Sequence, residues 1–210
     1  MTESPYARRR RRSSARHRGP EGPAASASAA QDPEPDPREV ARAIVLRQLT
    51  ASAKSRKQLE DKLADRDVPE DVAREVLDRF EEVNLVDDAQ YAELYVRSRA
   101  GSRKLARSAI RRELATRGVS GELAEAALEQ RTDEDERADA AELVRRKLPA
   151  GPELADRTQR DRAVRRLVGM LGRKGYAPGL AFAVVKEELE ARTGAAADDD
   201  GGDEVLPDTP

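Results

Sequence analysis

Between positions 40 and 190 the apolar residues recur at intervals of three and four, the spacing that gathers them on one face of a helix. The set Leu59, Leu63, Val68, Val72 and Leu77 returns 51 residues later as Ile110, Leu114, Val119, Leu123 and Leu128. It returns again after a further 57 as Leu167, Leu171, Tyr176, Leu180 and Val185. Repetition of this kind marks a module used three times. In each copy a helix with an i, i+4 apolar pair meets a basic residue and a turn, Arg66-Asp67, Arg117-Gly118 or Lys174-Gly175, and a second amphipathic helix follows. Gly118 and Gly175 suit the left-handed position after a helix end, and Asp67 is a more strained occupant of the same place. Pro69 and Pro178 suit the first turn of the next helix.

A leading helix opens each copy: Val40, Ile44, Val45 and Leu49 in the first, Tyr91, Leu94 and Tyr95 in the second, Ala140 to Val144 in the third. An insertion around Pro149-Ala150-Gly151-Pro152 lengthens the third copy. Ser55 with Gln58 reads as a capping box, and Asp87 or Asp88 as the cap of the second leading helix. No stretch alternates with the period of a strand. The expected fold is all-α: three tandem three-helix repeats over 39–87, 88–132 and 133–192, each small enough to lean on its neighbours. A basic, Pro-rich arm (1–38) and an acidic tail (193–210) lack apolar period and are expected to be disordered, with Pro33, Pro35 and Pro37 interrupting any helix in the arm. The folded array is thus expected from Val40 to about Ala191.

Composition narrows the chemistry. Apolar and charged residues each make up 38% of the 210 residues, which favours several small modules over one large core. Cysteine is absent and the single histidine, His17, lies in the arm. A thiolate metal site is excluded, and a Ser-His or Cys-His catalytic pair has no base in the folded region. Gly169, Gly172 and Gly175 match neither a dinucleotide fingerprint nor a phosphate loop. The acid pairs Asp87-Asp88, Asp133 to Glu136 and Glu187-Glu188 read as ordinary solvated helix ends. No catalytic residue, cofactor or metal is therefore expected. No apolar run approaches a membrane span, and the start of the chain lacks a signal-peptide pattern, so a cytoplasmic protein with no membrane partner is expected.

Charge is the positive signal. The chain sums to −2, yet Arg97 to Arg117 holds Arg97, Arg99, Arg103, Lys104, Arg107, Arg111, Arg112 and Arg117 against one acid, Glu113. On a helix through Ala106, Ile110 and Leu114, residues Lys104, Arg107 and Arg111 fall within roughly 60° of one another. Such a flank can follow phosphates or dock on acidic side chains. Phe80, Tyr91, Tyr95, Tyr176 and Phe182 fall on or beside apolar positions and are expected in the core, leaving no base-stacking platform. The arm's Arg8 to Arg12 add a further basic cluster.

Three segments together carry a resemblance: Ser55 to Leu63, Leu85 to Ala92 and Arg112 to Val119. In this order and spacing they resemble the RecX family of bacterial regulators over about Val40 to Leu189. The sequence departs from the family pattern at Leu105-Ala106, in place of a glycine-containing entry, and at Asn84, where glycine is often found. The resemblance implies an elongated, curved array of three-helix repeats that lies in the groove of RecA nucleoprotein filaments. It implies a regulator of DNA repair and the SOS response that limits strand exchange, ATP hydrolysis and coprotease activity. RecA filaments, with single-stranded and duplex DNA, are the expected partners, the eight cations named above the expected contact, and a monomer the expected state. A sequence-nonspecific DNA-binding helical protein, a helix-turn-helix module reading bases in the major groove and a generic helical protein–protein adaptor stay open beside it.

Overall fold

The computed structural model describes residues 36–149, 154 and 156–199, and among these every regular element is an α-helix. In order they are α1 (Pro37–Ala51), α2 (Arg56–Ala64), α3 (Glu70–Glu82), α4 (Asp88–Arg103), α5 (Arg107–Ala115), α6 (Gly121–Leu128), α7 (Asp133–Arg145), α8 (Arg157–Arg173) and α9 (Pro178–Asp199). The basic cluster Arg8 to Arg12 and all but the start of the expected acidic tail lie outside the described residues.

The helices group in threes, each group around its own apolar cluster. α1, α2 and α3 enclose Val45, Leu59, Leu63, Val76, Leu77 and Phe80. α4, α5 and α6 enclose Tyr91, Val96, Ile110, Leu114, Val119 and Leu128. α7, α8 and α9 enclose Val144, Leu167, Leu171, Tyr176, Val184 and Val185, with Leu154 of the α7–α8 connection. Complete burial of a Leu or Val stabilises by about 1.5–3 kcal/mol, so each cluster can hold one module together.

Local chemistry sets the helix boundaries. Ser55 and Gln58 form the reciprocal capping box of α2, and the Asp87 carboxylate accepts the Gln90 N–H (2.9 Å) to start α4. Asp67, Asn84, Gly118 and Gly175 all have positive φ, which ends α2, α3, α5 and α8 in equivalent ways. Asn84 tolerates the left-handed region better than most side chains, so it replaces the family's glycine at modest strain.

Three expectations need correction. Pro37 opens α1 rather than interrupting it: it stands at the first helical position, where its missing N–H costs nothing, and the Asp36 carboxylate accepts the Arg38 N–H at 2.9 Å. At the other end α9 runs through Asp199, several residues past Thr193, because Ala195, Ala196 and Ala197 sustain a helix without an apolar stripe. Leu123, a position of the repeat, and Phe182, expected in the core beside one, are exposed (47% and 56%). Each sits one residue, about 100°, from its helix's buried stripe, which is Ala181, Val184 and Val185 in α9 and Ala124, Ala127 and Leu128 in α6.

A repeated joint links successive modules. The Ser55 hydroxyl donates to the Arg117 carbonyl (2.6 Å), and Ser108 donates to the Gly175 carbonyl (2.5 Å). An acid of the next module's leading helix accepts the first N–H of the preceding module's second helix: Asp88 from Arg56 at 2.8 Å, and Glu136 from Arg107. A Cβ at Gly118 would overlap Lys57, and one at Gly175 would lie 2.6 Å from the Ala109 Cβ. The Ala106 N–H donates to the Lys174 carbonyl (3.0 Å) and the Tyr176 hydroxyl to the Lys104 carbonyl (3.0 Å), which ties the second joint further.

Candidate functional site

The basic stretch from Arg97 to Arg117 does not form one continuous cationic stripe. Arg97, Arg99 and Arg103 lie on α4, and Lys104 follows it in the left-handed conformation that turns the chain toward α5. Arg107, Arg111 and Arg112 lie on α5, and Arg117 follows in the turn. Five of the eight are engaged by carboxylates, most of them from outside the stretch. Arg99 meets Glu113 (2.9 Å), Lys104 meets Asp139 (2.6 Å) and Glu142 (2.9 Å), and Arg107 pairs with Asp133 and Glu136. Arg111 holds Glu125 through two N–H donors (2.6 and 2.7 Å), and Arg97 stands 3.9 Å from Glu93.

Packing adds to these ion pairs. The guanidiniums of Arg99 and Arg117 each lie 4.6 Å from the Tyr95 ring centre, and Arg117 donates to the Glu113 carbonyl. Burial works against charge on Glu113, but the hydrogen bond from the Tyr95 hydroxyl and the nearby Arg99 outweigh it and hold the carboxyl below its usual range. The Tyr95 hydroxyl is raised, first by burial and then by Glu113. Hydrogen bonds to Asp139 and Glu142 hold the Lys104 ammonium above its ordinary value. Asp139 also accepts from Arg131 (2.8 Å), and its side chain is only 16% exposed. Arg103 and Arg112 alone of the eight are exposed and lack both a carboxylate and an aromatic partner among the described residues.

A second basic element was not singled out by the sequence reading. The stretch from Arg157 to Lys174 contains seven cations and one acid, Asp161, a ratio close to that of the middle stretch. None of these seven forms an ion pair among the described residues. Arg160 donates to the Leu154 carbonyl (3.1 Å), Arg166 to that of Lys147 (3.2 Å) and Lys174 to that of Arg103 (2.5 Å). Burial, and then repulsion from Arg103, push the Lys174 ammonium below its usual value. A charge count over residues 157–174 was the signal that would have found this helix.

Among the described residues no group of three or more His, Cys, Asp or Glu could hold a metal ion, and no helix is long and apolar enough to cross a membrane. Asp133 and Glu136 are engaged by Arg107, and Asp135 completes the capping box of α7 with Thr132.

Comparison with known proteins agrees with this architecture. A family model described as RecX, first three-helix domain, matches residues 41–80, and one described as RecX, second three-helix domain, matches residues 87–128. A protein named Regulatory protein RecX from Streptomyces lividans is 48% identical over 172 residues, covering 81% of this chain and 89% of that one. The protein of the same name from Thermobifida fusca is 48% identical over 151 residues, 72% of this chain and 80% of that one. The Mycobacterium tuberculosis protein of that name is 41% identical over 153 residues, with 73% and 88% covered. A crystal structure of RecX from Lactobacillus salivarius superposes with a TM-score of 0.64 at 24% identity, over 74% of this chain and 98% of that one, which speaks for the fold.

Proposed function

This chain belongs to the RecX family of regulatory proteins, and on that premise we propose that it binds RecA nucleoprotein filaments and restrains strand exchange, ATP hydrolysis and coprotease activity during DNA repair and the SOS response. It acts stoichiometrically, without turnover of its own. Family membership carries the reading, and the repeated joint supports it. A partner built from identical subunits is matched by an array whose modules are locked to one another by recurrent contacts.

The filament contact lies on the middle module and is led by Arg103 and Arg112. Arg97 and Arg111 extend it, since exposed ion pairs hold a side chain by only about 0–1 kcal/mol and exchange readily for an external anion. Arg99, Lys104, Arg107 and Arg117 support the contact from within the module.

The test is ATP hydrolysis by RecA on single-stranded DNA, titrated with the parent protein and with an Arg103→Glu, Arg112→Glu variant. Inhibition should be lost in the variant while its helical circular dichroism and melting temperature stay unchanged. Equal inhibition by a folded double variant would place the contact elsewhere.

A further inference from the structure

We propose that the outward face of α8, formed by Arg162, Arg165, Arg166 and Arg173, binds the phosphate backbone of nucleic acid, in a contact separate from the middle-module contact with the filament. At about 100° per residue these four fall within an arc of roughly 100°, on the side of the helix away from Ala163, Leu167 and Leu171. All four are exposed, and none has a carboxylate partner among the described residues. From Arg162 to Arg173 the arc extends about 17 Å along the axis at 1.5 Å per residue. That length spans about five phosphates at the 3.4 Å rise of one duplex strand.

The helix carries this charge against its own stability. Arg162 stands three residues from Arg165 and four from Arg166, spacings at which like charges repel. The same face holds Gly169 and Gly172, the weakest helix formers after proline. A Cβ at Gly172 would meet nothing within 4 Å, so no packing constraint calls for glycine there. A bare backbone between guanidiniums lets a strand approach closely. From α2 to α5 acids engage at least part of the cations, whereas among the described residues no cation of α8 forms an ion pair, not even with Asp161 of the same helix.

The neighbouring grooves carry mixed charge. On one side Gly172 and Gly175 line an open groove with Arg111, Arg112 and Glu136. On the other, Lys174 and Met170 line a groove with Arg103, Arg146, Lys147 and Glu142. The α8 face itself carries no aromatic side chain, so recognition follows the backbone and not the bases. Arginine outnumbering lysine on the face fits phosphate, which it meets with two parallel N–H donors.

The experiment is fluorescence anisotropy of the full chain with labelled oligothymidylate and with a duplex of equal length, without RecA and from low to moderate salt. Replacing Arg162, Arg165 and Arg173 by Gln should weaken binding on the order of a hundredfold at 0.1 M salt. The slope of log affinity against log salt should become shallower by about 2 on the single strand and about 3 on the duplex. The corresponding triple Lys variant should keep most of the slope. Gly172→Ala should melt higher than the parent and yet bind several-fold more weakly, an outcome that loss of folding cannot mimic. Unchanged affinity of the Gln variant would overturn the proposal, as would displacement of the DNA by oligoglutamate at equal charge concentration, which would point to an acidic protein. RecA inhibition measured on the same variants keeps the two contacts apart: loss of DNA binding with inhibition intact supports the α8 site and leaves the filament reading standing.

Discussion

The stretches 97–117 and 157–174 are near equals on paper, eight cations to one acid and seven to one, and the fold treats them in opposite ways. In the middle module Glu125, Asp133, Glu136, Asp139 and Glu142 arrive from α6 and α7 and engage Lys104, Arg107 and Arg111. At α8 the Asp156 carboxylate caps the helix through the Thr158 and Gln159 N–H groups, and Asp161 forms no ion pair among the described residues. A run of positive charge in sequence therefore becomes a positive surface only where the tertiary neighbours bring no acid to it. Lys104 and Arg107 tie the middle module to the next, and Arg162, Arg165, Arg166 and Arg173 of α8 are exposed.

The sharpest way to break this comparison is to strip charge from the joint. Asp139 accepts from both Lys104 and Arg131, and the side chains in this cluster are only 10–20% exposed. Asp139→Asn leaves Arg131 facing a neutral amide and Lys104 with Glu142 alone, and should cost about 2–3 kcal/mol, somewhat less than a fully broken buried pair. Urea unfolding at neutral pH would measure it. A loss below half a kilocalorie would mean that the middle cations are no more structural than those of α8.

Next in size is Gly175→Ala, which strains a backbone at φ 91° and drives a methyl group against Ala109. The left-handed conformation alone costs an L-residue about 1–2 kcal/mol. A melting temperature lower by several degrees is expected, with the joint between the second and third modules the first to exchange its amide protons.

The smallest effect concerns Glu113, whose carboxyl is held below its ordinary range although burial opposes the charge. A depressed folded value means that the stabilisation is complete above the ordinary carboxyl range and is lost as pH falls through the folded value. Glu113→Gln should therefore cost about 1 kcal/mol at pH 7, and the difference from the parent should shrink toward zero in acid. A difference independent of pH would show that Tyr95 and Arg99 do not hold the charged form.

The three-helix repeats were legible in the sequence because the apolar period, the capping box at Ser55 and the left-handed turns at Gly118 and Gly175 are all local signals. Phe182 and Leu123 were misplaced because a single position in a repeat does not say which way a short helix rotates against its neighbours. The eight cations of the middle stretch could be counted in sequence, but their partners could not. Asp133, Glu136 and Asp139 lie 26 to 35 positions from the residues they meet, and only the joint brings them together. The α8 cations are as countable in sequence as those of the middle stretch, but that they meet no carboxylate among the described residues is set by their tertiary neighbours.

The central claim is that Lys104 and Arg107 of the middle stretch serve the joint between modules, whereas the α8 cations serve binding. One measurement tests it most directly: urea unfolding and anisotropy on oligothymidylate, run side by side on Lys104→Gln with Arg107→Gln and on Arg162→Gln with Arg165→Gln. The first variant should unfold at clearly lower urea, and the second should unfold with the parent while losing affinity at least tenfold, on the order expected for two phosphate contacts. If instead the first pair proves neutral to stability, or the second pair unfolds early and binds DNA as the parent does, the division between the two basic stretches is wrong.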